Sequence, residues 1–190
     1  MDVKRIADFL ELQTLLDGMK RIRRQSLVPG REMEETDAEH SWHVALWYLT
    51  LMDLFENVDH FKIIVMLLIH DIPEIICGDA YVYCKNSDDV KNEKIAAIKI
   101  FNRFPSPLRE KYLVIWQEFE EGVTKEAKIA KAIDALQPIL QNINTNGKKW
   151  IEKGITLEIL DKNKRPNVEV NEIVLMIYKE LIKRAEKFIK

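Results

Sequence analysis

The sequence predicts an all-α, single-domain fold over residues 1–190, and three observations lead there. Apolar residues recur at spacings of three and four in segment after segment, capping residues stand ahead of those segments, and no run alternates convincingly enough to be a strand. With 47% hydrophobic and 32% charged residues, the chain is long enough to bury a substantial core in one domain.

The elements follow in order. Ile6, Phe9, Leu10, Leu12, Leu15 and Leu16 form the first amphipathic stripe. Leu27-Val28-Pro29-Gly30 breaks the chain into a loop. Thr36-Asp37-Ala38-Glu39 is a capping box, in which the Glu39 carboxylate reaches back to the Thr36 backbone, and it opens a second helix that should run to about Phe55. Asp59 is an N-cap for a third helix, apolar through residues 63–69 and therefore central, which ends at His70-Asp71. Pro73 has no amide to donate and its ring clashes with the carbonyl four residues back, so the backbone must kink or restart there. Gly78-Asp79 closes the short turn that follows. Further helices are expected over 88–104, 107–121, 125–144 and from 168 to the C-terminus. In the last of these, Val170, Ile173, Val174, Ile177, Leu181 and Ile182 make a broad stripe that must pack on the body or on another subunit. The polar, proline-terminated stretch 161–166 reads as a loop.

Several function classes drop out. Residues 63–69, the longest apolar stretch, fall far short of the roughly 20 residues a membrane span needs, and the N-terminus has no signal-peptide pattern. A cytoplasmic protein with no membrane partner is expected. A formal charge of -2 argues against general nucleic-acid binding. Cys77 and Cys84 are too few for a disulfide framework and form no Cys-x-x-Cys, so they are read as thiols rather than zinc ligands.

Four residues on helix-like segments carry the chemistry: His40, the adjacent pair His70-Asp71, and Asp134. Two imidazoles and two carboxylates suit one divalent cation with positions open for water and an anionic substrate, which makes phosphate-ester hydrolysis the leading reading. The mixed donor set favours manganese, cobalt, iron or magnesium over a thiolate zinc site. An acid at the end of so apolar a helix needs a partner, and periodicity alone leaves a metal and a structural salt bridge both open. His43, three residues after His40, shares its helix face and reads as a core-edge group or a support for the ligands. His60, near a helix start, is expected to be exposed, and the four tryptophans are expected to be packing residues.

Glu39-His40-Ser41, then His70-Asp71-Ile72-Pro73-Glu74, then Gly78-Asp79, then Ile133-Asp134-Ala135-Leu136 resemble, in order and approximate spacing, the motifs of the HD-domain metal-dependent phosphohydrolases. The branch this chain is most similar to is the 5′-deoxynucleotidases, over most of its length. The resemblance implies an HD-type helical bundle in which His40, His70, Asp71 and Asp134 bind one divalent metal. It implies that Glu74 handles the proton of the attacking water, that Asp79 contacts the nucleotide sugar, and that Arg24, or Arg23 by a one-residue shift, orients the phosphate. It also implies a homodimer acting on (deoxy)ribonucleoside 5′-monophosphates. The alternatives are a phosphodiesterase or a nucleoside triphosphate or polyphosphate hydrolase of the same superfamily, and a non-catalytic metal- or nucleotide-binding module.

Blander readings stand beside these roles. Lys20, Arg21, Arg23, Arg24 and Arg31 also read as a solvated face balanced by Glu32, Glu34, Glu35, Asp37 and Glu39, Glu74 as a first-turn acid after Pro73, and Gly78-Asp79 as a helix stop. Two departures from the family bear on the substrate pocket. No tryptophan follows Arg24 in Arg24-Gln25-Ser26-Leu27, which leaves deoxyribose selectivity open. Ala80-Tyr81-Val82-Tyr83 replaces a proline-containing loop, with Tyr81 or Tyr83 available to stack on a base.

Overall fold

The structure, a computed structural model, describes residues 3–79 and 87–190; Ala80-Tyr81-Val82-Tyr83 and Cys84 lie outside the described residues. Helix α1 (Val3–Leu16) leads through a 3-10 turn (Asp17–Lys20) into a hairpin of β1 (Arg23–Leu27) and β2 (Glu34–Thr36). There follow α2 (Asp37–Leu51), a second 3-10 turn (Met52–Leu54), α3 (His60–Ile69), α4 (Glu74–Cys77), α5 (Ser87–Phe101) and α6 (Leu108–Glu121). The chain ends with α7 (Lys125–Asn144), α8 (Lys148–Glu152), α9 (Leu157–Val168) and α10 (Glu172–Ala185).

The spine of the bundle is α7, which packs against α2, α3, α6, α9, α10 and β1. A helix surrounded on several sides needs apolar or small residues round most of its circumference. It has them, with Ala127, Ile129, Ala130, Ala132, Ile133, Ala135, Leu136 and Ile139 all buried. Beside it, α3 buries Ile63, Val65, Met66, Leu67 and Ile69, although Phe61 and Leu68 stay on the surface. The buried stripe of α2 runs Asp37, His40, Ser41, Val44, Ala45 and Tyr48, so one face is polar at its start and apolar beyond. The C-terminal stripe packs on the body, with Val174, Tyr178, Leu181 and Ala185 of α10 buried against α7 and α9. No helix among the described residues is long and apolar enough to cross a membrane.

Several local expectations need correction. The basic and acidic stretch after α1 is an antiparallel hairpin, with Arg23 opposite Thr36, Leu27 opposite Glu34 and an irregularity between. It is short and charged on both strands, so it lacks the apolar alternation by which strands are read. Helix α2 stops at Leu51 and passes into a 3-10 turn instead of reaching Phe55. The stretch 161–166 is helical: it lies inside α9, where Thr156 caps the start by accepting from the Ile159 amide. Pro166 falls in the last turn of α9, and the buried face of Leu160, Lys164 and Val168 holds the helix together despite the missing amide. The final helix accordingly begins at Glu172, behind an Asn171 cap. In α1 only Leu12 is buried, while Ile6, Phe9 and Leu10 are exposed. Trp116 and Trp150 are buried, but Trp42 is 63% exposed. His60 is half-buried, its Nδ1 2.6 Å from Tyr48 Oη.

Candidate metal centre

Three elements bring the four sequence-predicted ligands together. The Thr36–Glu39 capping box sets the start of α2: Glu39 N donates to Thr36 Oγ1 at 3.2 Å, and Thr36 N donates to Glu39 Oε2 at 2.8 Å. His40 follows within that first turn and points inward, fully buried. His70 is the residue at which α3 ends, and Asp71 sits in the turn before Pro73 and α4, where a continuous helix would have splayed the two apart. Asp134 comes from the middle of α7. Pro138 lacks the amide that would have bonded the Asp134 carbonyl, so the helical ladder is broken at the residue that faces the site.

The four side chains close on one point. His40 Nε2 lies 2.9 Å from Asp134 Oδ1 and 3.9 Å from Asp71 Oδ2. His70 Nε2 lies 3.2 Å from Asp71 Oδ2 and 3.6 Å from Asp134 Oδ1. Ligand atoms of His40, His70 and Asp71 all fall within 4.8 Å of one another, a group that can hold a metal ion.

Outer partners orient both imidazoles. His70 Nδ1 lies 3.0 Å from the Leu67 carbonyl oxygen, which can only accept, so Nδ1 carries a proton and Nε2 faces the centre. That Nε2 is buried and makes no hydrogen bond, the condition of a donor atom waiting for a Lewis acid. Trp116 Nε1 donates to the His70 carbonyl at 3.0 Å, and the Phe119 ring packs 5.0 Å from the imidazole. Burial opposes a charged His70, but Asp71 and Asp134 outweigh it and raise its pKa to about 9, so a cation competes with a proton for this nitrogen. Burial, then Arg24, push His40 the other way, toward the neutral form that ligates metals. Burial resists charge on Asp134, yet the neighbouring imidazoles of His40 and His70 hold its carboxyl well below the usual range. Two nitrogen and two oxygen donors, three of them on buried residues and the fourth on half-buried Asp134, fit a divalent cation.

The predicted companions line the same cavity, of about 270 Å³. Arg24, not Arg23, faces it: β-strand neighbours point to opposite sides, so Arg23 Nη1 reaches the Glu34 carbonyl at 2.7 Å while Arg24 Nη1 donates to Asp71 Oδ2 at 2.5 Å. Arg24 Nη1 is also 3.5 Å from Asp37 Oδ1. Glu74 is buried, with Oε2 lacking a partner, and burial followed by the charges of Asp71 and Asp37 pushes its carboxyl far upward. Gly78 takes φ +77°, a conformation open to glycine, and turns the chain so that half-buried Asp79 lines the cavity.

Other groups also shape the site; of these the sequence points to His43 as a core-edge group or a support for the ligands, and to Asp37 and Glu35 only as charge balance for the basic stretch. Asp37, wholly buried at the first turn of α2, stands beside Arg24. Glu35 anchors a buried amide network. It accepts from Ser26 Oγ at 3.0 Å, Gln137 Nε2 at 2.7 Å and Gln141 Nε2 at 2.8 Å, and Gln137 Oε1 in turn lies 3.0 Å from His40 Nδ1. His43 Nδ1 touches Gln137 Nε2 at 3.1 Å and so stands one residue removed from His40 rather than at the metal point. Lys164 of α9 also lines the cavity and is buried. A signal for Gln137 was available in its position one residue C-terminal to Leu136 on a helix otherwise rich in apolar residues. For Lys164 it was hidden by the loop reading of 161–166.

Comparison with known proteins gives the family. The HD domain family profile matches residues 16–174. The 5′-deoxynucleotidase HDDC2 of Dictyostelium discoideum is 30% identical over 145 residues, covering 72% of this chain and 76% of the relative. Its counterpart in Danio rerio is 26% identical over 137 residues, covering 70% and 68%. The crystal structure of a predicted metal-dependent phosphohydrolase from Magnetospirillum magnetotacticum MS-1 superposes with a TM-score of 0.85 at 33% identity, covering 98% of this chain and 99% of that one.

Proposed function

The chain belongs to the HD-domain family, and from that membership we propose that it is a metal-dependent phosphomonoesterase acting on nucleoside 5′-monophosphates, releasing nucleoside and phosphate. The observation that carries this reading is the convergence of buried His40, His70 and Asp71 with half-buried Asp134 on a cavity that also presents Arg24, Glu74 and Asp79. Relatives named 5′-deoxynucleotidase support the substrate class.

His40, His70, Asp71 and Asp134 would hold one divalent ion, Mn2+, Co2+, Fe2+ or Mg2+ by their donor chemistry. Bound there, the ion supplies Lewis acidity, polarising a phosphoryl oxygen and acidifying water. Arg24 orients the phosphate with a guanidinium that Asp71 and Asp37 keep charged and in place. Glu74, close to Asp71 and driven toward its protonated form by burial, is placed to exchange a proton with the attacking water or the leaving oxygen. Asp79 accepts a hydrogen bond from the sugar. Residues 1–190 act as one domain in the cytoplasm, and the exposed Ile6, Phe9 and Leu10 of α1 offer a homodimer an apolar face.

The test is to strip the purified protein of metal, restore manganese, cobalt, iron, magnesium or zinc separately, and measure phosphate release from ribo- and deoxyribonucleoside 5′-monophosphates. Metal-dependent release supports the reading and ranks the sugars. No release with any metal, alongside hydrolysis of a diester or triphosphate, replaces it with one of the wider superfamily activities.

A further inference from the structure

Four cationic side chains line the cavity among the described residues, and three of them have carboxylate partners. Arg24 is held by Asp71 and Asp37. Lys131 lies 4.0 Å from Glu120 and over the Phe119 ring. Lys149 pairs with Glu34 and Glu152, each at 3.3 Å. Lys164 is the exception. It is only 8% exposed, it lines the cavity from α9, and it makes no hydrogen bond or ion pair with any described residue.

An ammonium in that position is expensive to keep. Burying a cation without a hydrogen-bonded counter-charge is unfavourable, and a structural role on the buried face Leu160–Lys164–Val168 would be served as well by an apolar residue. Burial indeed works against its charge, Asp134 being the carboxylate that opposes this and Arg24 a cation that adds to it. Asp134 and Arg24, whose charges act on the ammonium, line the same cavity. A divalent cation neutralises Asp71 and Asp134, which leaves Lys164 facing the space where an anion would sit.

We propose that Lys164 is a second phosphate-binding residue, which with Arg24 matches the two negative charges of a terminal phosphomonoester and so favours monoesters over singly charged diesters. The inference rests on the phosphomonoesterase reading above and deepens it. Among the cavity's cations Lys164 is the one with no carboxylate partner among the described residues, which leaves its donors for the ligand. A point charge with three donors on a flexible stem suits a phosphate oxygen that moves as the ester bond breaks.

Wild type, Lys164→Met and Lys164→Arg, each loaded with the activating metal, would be compared by calorimetric binding of inorganic phosphate, by kcat and KM for a nucleoside 5′-monophosphate, and by metal content. Loss of a charge-assisted hydrogen bond predicts phosphate binding weakened and KM raised by about tenfold or more in Lys164→Met. Metal content should be unchanged, kcat should move less than KM, and Lys164→Arg should recover most of the loss. Hydrolysis of bis(p-nitrophenyl) phosphate, a singly charged diester, should fall less than that of the monoester. A folded, metal-replete Lys164→Met with wild-type phosphate affinity overturns the proposal. Should Lys164→Met not fold, Lys164→Gln takes its place in the same measurements. If wild type hydrolyses no monophosphate, the functional reading fails by itself, and the phosphate titration still decides the role of Lys164.

Discussion

His40 Nδ1 stands 3.0 Å from Gln137 Oε1, and the amide cannot turn round, because its Nε2 donates to Glu35 Oε1 at 2.7 Å. An acceptor fixed at Nδ1 requires the proton on that nitrogen, which leaves Nε2 directed at Asp134 and the ligand point. Gln137 therefore acts on the metal without touching it. Gln137→Leu should weaken metal affinity by about 10- to 100-fold, the usual effect of removing an outer-shell partner. Metal-buffered titration of the purified variant checks this. His70→Ala, by contrast, should retain no metal at all, and full occupancy in that variant would remove His70 from the ligand set.

Glu74→Gln should keep the metal and lose turnover by about 100-fold or more, since the amide preserves size while removing the carboxyl's capacity to act as acid or base. Parallel metal analysis and phosphate-release kinetics separate the two effects. Turnover near wild type would leave Glu74 only the role of an acid near the start of α4.

Arg24→Ala should lower kcat/KM by about tenfold or more, whereas Arg23→Ala, whose guanidinium meets the Glu34 carbonyl on the outer side of the hairpin, should leave it unchanged. Steady-state kinetics on the two variants decide which arginine meets the phosphate. The reverse ranking would show that the hairpin register does not set the role.

The pH dependence of the metal-free protein has a defined sign. His70, raised to about 9, and Glu74, raised by burial and by Asp71 and Asp37, both bind protons more tightly folded than unfolded. Their contribution to stability is present below their unfolded pKa values and is lost as pH rises toward the folded ones. His40 is shifted the other way, but its effect falls below its unfolded value of about 6.5. Between pH 6.5 and 9 the melting temperature of metal-stripped protein should therefore fall, and metal affinity should rise as His70 releases its proton. Thermal melts and metal titrations across that range test both. A flat melting profile would mean that neither His70 nor Glu74 holds a proton more tightly in the folded protein over that range.

The helical class was legible because each helix carries its own signals. The Thr36–Glu39 box, the Asp59 cap and the Pro73 break are local, and the structure has a helix start or end at each of them. The hairpin was not legible, because Arg23–Leu27 and Glu34–Thr36 are short and charged and are held by their pairing and by contact with α7 and α8, not by an intrinsic pattern. The α9 helix was obscured by polar residues and Pro166, whose propensities are outweighed by the packing of Leu160 and Val168 and by the Asp161–Arg165 pair at 2.7 Å.

By itself the sequence determined the all-helical class and the identity of the four converging side chains, since capping, periodicity and an ordered motif set are carried by neighbouring residues. Only the tertiary structure decided that Arg24 and not Arg23 turns inward, that Glu35 and Gln137 fix the His40 ring, and that Lys164 enters the cavity uncompensated. Those outcomes depend on which faces of α2, α7, α9 and the hairpin meet, and burial and charge pairing between distant segments are properties of that packing, not of any one stretch of chain.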